Sequence, residues 1–288
     1  MVKKFLDKLP KHQVVMHAKS HRMAHMVYSM KAIEDVEYTH RKTEGIKDKL
    51  AHGAVRLVRS SFDFFSRYDP EKMTERDWMN RAIFLETVAG VPGMIGGMSR
   101  HLRSLRTLER DHGWIHHLLQ EAENERMHLF FFLTMRNPGI FFRIAIALGQ
   151  GIFFNAYFLA YLLAPRTCHR FVGYLEEEAV HTYSTMIEQL DDGKLPYWSE
   201  MKASPEAREY YGLSDDAPLR EMILAIRADE ATHRDTNHHF ADINAWDDVE
   251  QHMVTIIENK EKISGLVYEH LEDEKKQIEA EKSLEAAE

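Results

Sequence analysis

Cysteine is nearly missing from this chain: Cys168 is the only one among 288 residues. A single thiol excludes an intramolecular disulfide framework and any zinc or iron–sulfur site built from several cysteines. Glycine (14) and proline (8) are sparse, and strand-like alternation is rare. Helical periodicity is the signal that remains, and it predicts an all-α fold. The start, MVKKFLDKLPKHQVV, is basic but has no long apolar run and no small-residue cleavage site, so no secretory leader is expected. It also lacks the Arg and Ser richness of a mitochondrial transit segment. With 44% hydrophobic residues, the length suits one large or two small domains.

Charge is uneven. The net value is −9, yet residues 1–60 hold 13 Lys+Arg against 6 Asp+Glu. That basic stretch fits an anionic membrane surface and equally an ordinary solvated face. No nucleic-acid partner is expected. His17, His21 and His25 would share one helix face, as a polar face or a metal site. Residues 1–50 read as a partly irregular arm with short helices, 51–245 as the main domain and 246–288 as a charged, solvated tail.

Residues 54–68 are amphipathic, with Leu57, Val58, Phe62 and Phe65 against Arg56, Arg59 and Arg67. The pattern suits a helix lying in a bilayer interface or one packed on a core. A helix over 74–90 starts at Thr74 as N-cap, bends at Pro92 and continues. Another, from Trp114, ends at Asn137–Pro138; a third spans 169–190; the last covers 219–243. Residues 191–218 read as a polar connection with one short helix.

Two of these helices carry Glu-x-x-His: Glu125 with His128, and Glu230 with His233. The three-residue spacing puts carboxylate and imidazole on one face. Ferritin-like di-iron bundles add one glutamate from each of two further helices. Glu86 stands among apolar neighbours in RAIFLETVAG, and Glu176 opens the triplet in GYLEEEAVHTY. The order Glu, Glu-x-x-His, Glu, Glu-x-x-His is a two-fold internal repeat. Asn124 and Asp229 precede the two motif glutamates and are placed to orient them. Within the triplet, Glu176 is chosen because Tyr183 follows two turns later on the same face, while Glu177 lies about 100° away and Glu178 about 200°. Tyr183 is then either a core tyrosine or a group beside the metals. Four carboxylates and two imidazoles suit iron or manganese better than zinc.

The uncharged run from Ile144 to Ala164 would reach ~30 Å as a helix, enough to span a bilayer. A span there would put half the ligands on each side of the membrane. The segment must therefore stay on one side, lying flat in a leaflet, packing in the core or covering the bundle.

The blocks FLETVAGVPGM, EAENERMHL, GYLEEEAVHTY and RADEATHRDTNH, in this order, resemble the alternative oxidases, membrane-bound di-iron quinol oxidases. The resemblance covers roughly residues 40–243. It implies a homodimer of monotopic subunits, each a ferritin-like four-helix bundle with two iron ions and added amphipathic and apolar helices. It implies oxidation of ubiquinol or a related quinol and reduction of O2 to water, without proton pumping and insensitive to cyanide. By motif, the iron ligands fall on Glu86, Glu125, His128, Glu176, Glu230 and His233. Tyr183 matches a redox-active tyrosine. Asn124, His169, Tyr210 and Asp229 fall at supporting positions, and the quinol pocket at Arg59, Asp63, Arg81, Leu85, Leu175, Glu178 and Thr182. Some members are switched through a cysteine ahead of the bundle; this chain has none there. A di-iron quinone-ring hydroxylase is the rival reading. The expected location is a bacterial inner membrane, cytoplasmic face, with the matrix face of the mitochondrial inner membrane as the alternative.

Overall fold

The structure is a computed structural model that describes residue 25, residues 27–245, and residues 247 and 249. His17 and His21, and nearly all of the charged tail, lie outside the described residues. The described residues fold as nine α-helices with no strand. They are α1 (Met30–Glu34), α2 (Gly45–Ser66), α3 (Glu75–Thr107), α4 (Trp114–Met135), α5 (Ile140–Leu163), α6 (Pro165–Asp191), α7 (Pro196–Ser199), α8 (Pro205–Tyr211) and α9 (Leu219–Asp242).

The bundle is two helix pairs, α3 with α4 and α6 with α9. Helix α3 starts in the capping box that Thr74 promised: its side chain accepts from the Asp77 amide, and Asp77 accepts from the Thr74 amide. It then runs 33 residues with Pro92 inside it. The helix thus continues through Pro92, as the sequence predicts. Small residues let α3 and α4 approach closely. A Cβ at Gly93 would lie 2.5 Å from the Leu118 carbonyl oxygen, so only glycine fits that crossing. The core below is aromatic and aliphatic, with Trp78, Ile83, Phe131, Phe132 and Ile223 fully enclosed.

The arm holds short helical pieces, as read from the sequence, and the 191–218 connection holds two short helices where one was read. The region before residue 50 contains α1 and the first turn of α2, and the 191–218 connection carries α7 and α8. Helix α2 buries Asp48, Ala51 and Val55 along one stripe. Its outward stripe holds Leu50, Leu57, Phe64 and Phe65, all exposed. Arg59, read both on the polar face of the amphipathic stretch and in the quinol pocket, reaches Asp63 and Glu178.

Helix α5 is unbroken from residue 140 to 163, with only Tyr157 and Tyr161 buried. It lies along α3 and the start of α6. Gly149 allows this, since a Cβ there would meet the Phe84 ring at 2.9 Å, and Gln150 donates to the Thr87 carbonyl at 2.7 Å. Its other face exposes Phe141, Ile144, Leu148, Ile152, Leu159 and Leu162. So α5 covers the bundle from outside, one of the dispositions open to the apolar run.

Candidate metal centre

Each helix of the bundle carries its acidic residue inward. Glu86 on α3, Glu125 and His128 on α4, Glu176 on α6, and Glu230 and His233 on α9 are all buried. They form two overlapping groups. Ligand atoms of Glu86, Glu125, His128 and Glu230 lie within 4.8 Å of one another, and so do those of Glu125, Glu176, Glu230 and His233. Glu125 and Glu230 belong to both. The six residues chosen from spacing are thus brought to one place.

Their atoms converge without bonding to each other. His128 Nδ1 lies 3.2 Å from Glu230 Oε1 and 3.5 Å from Glu86 Oε2. His233 Nδ1 lies 2.8 Å from Glu125 Oε1. Yet both Nδ1 atoms, both Glu125 oxygens and Glu86 Oε2 have no hydrogen-bond partner. Unpartnered polar atoms are costly when buried, and so many aimed at one point are explained by a cation between them. Charge points the same way. Burial pushes the Glu86 carboxyl up to about 8 and Glu176 well above its ordinary range. Burial also pushes Glu125 up, but His128 and His233 more than offset it and hold it low. Four clustered carboxylates would be neutralised by two divalent ions.

The surroundings fix this geometry. His128 Nε2 meets Asp229 Oδ2 at 2.9 Å, and the same oxygen accepts from Asn124 at 2.9 Å. Asn124 also donates to the Tyr210 hydroxyl at 3.1 Å. His169 Nδ1 lies 3.1 Å from Asn237 Oδ1, while Tyr161 reaches its Nε2 at 3.1 Å. Burial pushes the His169 imidazole down to about 4, so it is neutral, with Nδ1–H donating and Nε2 accepting. Tyr183 donates to Glu86 Oε1, and burial raises its hydroxyl well above 10.

Of the residues expected around a quinol, the charged ones meet. Asp63 lies 2.7 Å from Arg81 and 2.9 Å from Arg59, which reaches Glu178 at 2.5 Å. Arg81 is buried and its guanidinium sits 3.9 Å above the Tyr68 ring. Thr182 donates to the Glu178 carbonyl at 2.8 Å. Leu85 and Leu175 are half-buried, about one turn from Arg81 and Glu178. An open cleft of about 360 Å³ is lined by none of these residues.

Several contacts escaped the sequence. Tyr211, not only Tyr210, serves the site, donating to Asp229 at 2.7 Å. Asn237 donates to Glu121 at 2.8 Å, and Glu121 is buried with its carboxyl pushed up to about 7 by burial. Both had a signal: Glu121 is four residues before Glu125, and Asn237 four after His233. His25 and Tyr28, which also reach Asp229, had none. The other two glutamates of the triplet point elsewhere, Glu177 to His40 and His238, and Glu178 to Arg59.

Comparison with known proteins agrees with this geometry. The family model described as alternative oxidase matches residues 28–242. A protein of Emericella nidulans named "Alternative oxidase, mitochondrial" is 48% identical over 237 residues, covering 78% of this chain and 67% of its own length. Proteins of the same name from Yarrowia lipolytica (45% over 234 residues; 78% of this chain, 66% of its own length) and Cryptococcus neoformans (40% over 287; 92% and 72%) are also similar. These relatives are named mitochondrial, so the bacterial location expected from the sequence is not borne out.

Proposed function

The chain belongs to the alternative oxidase family, and from that premise we propose that its six clustered side chains hold two iron ions. The enzyme is a terminal quinol:O2 oxidoreductase that reduces O2 to water. The observation that carries the metal assignment is the pair of overlapping groups with shared members. Glu86 and His128 would help hold one ion and Glu176 and His233 the other, with Glu125 and Glu230 belonging to both groups. Two iron ions, when bound, supply the redox capacity that no side chain of this cluster has.

The remaining roles fall to the chain itself. Arg81, fixed between Asp63 and the Tyr68 ring, orients a quinol oxygen. The Thr182 hydroxyl keeps its lone pairs open to accept a quinol O–H, since its own proton goes to the Glu178 carbonyl. Asp63 and Glu178 are the carboxylates nearest to take quinol protons. Leu85 and Leu175 flank the ring. Two quinols release four protons and four electrons, which balance one O2 becoming two waters. Tyr183 holds its proton on Oη against Glu86 Oε1, placed to pass a proton and an electron into the site. Asn124, His169, Tyr210 and Asp229 keep the ligands in place.

The exposed apolar faces of α2 and α5 support a protein set into one leaflet from a single side. Met94, Met98, Leu102 and Leu105 are exposed along one face of α3, an apolar strip suited to pairing with a second copy. The names of the relatives favour a mitochondrial location, and within it we place the chain on the matrix face of the inner membrane. The test is oxygen uptake by purified protein with a short-chain quinol and cyanide present, alongside iron content. Cyanide-resistant uptake with two irons per chain is expected. Oxygen incorporated into the quinone ring would instead indicate the hydroxylase.

A further inference from the structure

The Asp229 carboxylate is crowded. Oδ2 meets His128 Nε2 (2.9 Å), Asn124 (2.9 Å) and Tyr211 (2.7 Å). Oδ1 accepts the Tyr28 hydroxyl at 2.5 Å and lies 2.9 Å from His25 Nε2. A carboxylate offers about four lone-pair sites, so these five groups saturate it. Three come from α4 and the end of α8. The other two come from the arm ahead of α1, 201 and 204 residues away in sequence.

The arm residues are wedged in place. The His25 ring lies 4.5 Å from that of Tyr210 and edge-on to Tyr211 at 5.2 Å and Tyr28 at 5.5 Å. Further along, Arg227 donates to the carbonyl of Ile33 at 2.8 Å, and Arg234 to that of Glu37 at 3.1 Å. The family match begins at residue 28, so His25 lies outside it.

We propose that His25 and Tyr28 are positioning residues for the metal centre. They pin Asp229 through Oδ1, which leaves Oδ2 aimed at His128 Nε2 and turns His128 Nδ1 toward the cluster. The torsion that turns an imidazole ring is soft. A hydrogen bond on the outer nitrogen is what fixes both ring orientation and tautomer of a liganding histidine. An aspartate held by one oxygen can still rotate; one held by both cannot. The arm thus closes the support of a site otherwise built from the bundle. This rests on His128 being a metal ligand.

The test uses the full chain, loaded with Fe²⁺ without oxygen or with Co²⁺ as an optical probe. Tyr28→Phe and His25→Phe keep the rings and remove the donors. The double variant is expected to release metal to a chelator at least 10-fold faster than wild type, at unchanged helical circular dichroism. His25→Gln, which keeps an N–H donor, is expected to recover most of the loss. Glu34→Gln, which cuts only the arm's ion pair to Arg220, is the control for loosened docking and is expected to bind metal normally. Linkage adds a second readout: if the arm tightens metal, metal tightens the arm by the same factor. Hydrogen exchange over residues 27–37 should therefore slow on loading. Wild-type retention in the double variant, or exchange indifferent to metal, overturns the proposal while leaving the ligand assignment standing. A wild type that binds no metal overturns both.

Discussion

Replacing Gly93 with alanine sets two well-known tendencies against each other. Alanine favours a helix over glycine by about 1 kcal/mol. At Gly93, however, the new Cβ would lie 2.5 Å from the Leu118 carbonyl oxygen and 3.1 Å from the Ala122 amide nitrogen. Both neighbours are backbone of α4, so no side chain can swing away. The helices must part, at an overpacking cost of about 1–3 kcal/mol, here at the upper end. The net result is about 2 kcal/mol of destabilisation, or a Tm lower by about 4–8 °C. Gly53 is the counterpart, since it is helical and exposed with nothing within 4 Å of its added Cβ. Gly53→Ala should gain up to about 1 kcal/mol and raise Tm by about 2–4 °C. Thermal unfolding followed by circular dichroism, in the same detergent for both, checks the pair. A Gly93→Ala protein as stable as wild type would refute the close-packing argument. So would a Gly53→Ala protein that melts lower than Gly93→Ala.

Three further outcomes are expected. Glu125→Ala should empty both metal positions, because Glu125 belongs to both ligand groups, whereas Glu176→Ala should leave about half the iron; metal analysis decides, and equal losses would count against the sharing. Tyr183→Phe should keep its iron but lose most quinol-oxidase turnover, and full turnover would remove its proposed redox role. His169 is held near 4 against an ordinary 6.5. The unfolded chain therefore takes up the proton first, and about 3 kcal/mol of stability, complete above pH 6.5, is lost as pH falls to about 4. His169→Gln should flatten that part of the stability profile, and an unchanged slope would show that another group causes it.

The Glu/His cluster was legible because its signal is local. Glu-x-x-His fixes two donors on one helical face, and Tyr183 selects Glu176 from its triplet by the same arithmetic. Glu121 and Asn237 could have been found with it, one turn from Glu125 and His233. His25, Tyr28 and Tyr211 could not, because what joins them to Asp229 is a chain path of many residues that no periodicity records. Spacing placed Arg59 beside Asp63, four residues on, but not beside Glu178. Amphipathic patterning assumes that arginine seeks water, whereas two carboxylates, one of them 119 residues away, draw it inward. Helix α3 continues through Pro92, as the sequence predicted. The glycines around it allow tight packing on α4, and this tertiary contact outweighs the local penalty.

The sharing of Glu125 and Glu230 also bears on how the molecule is made. On the proposed assignment, each ion needs side chains from three helices, drawn from both the α3–α4 and the α6–α9 pairs. Neither hairpin alone presents a complete set of donors. Either pair alone offers at most three of the four donors of an ion, so a growing or newly delivered chain completes neither site until the other pair arrives. Metal capture becomes a late event, gated by the meeting of the two halves. Its rate, followed by the appearance of the loaded centre during refolding, should report when the last tertiary contact is made.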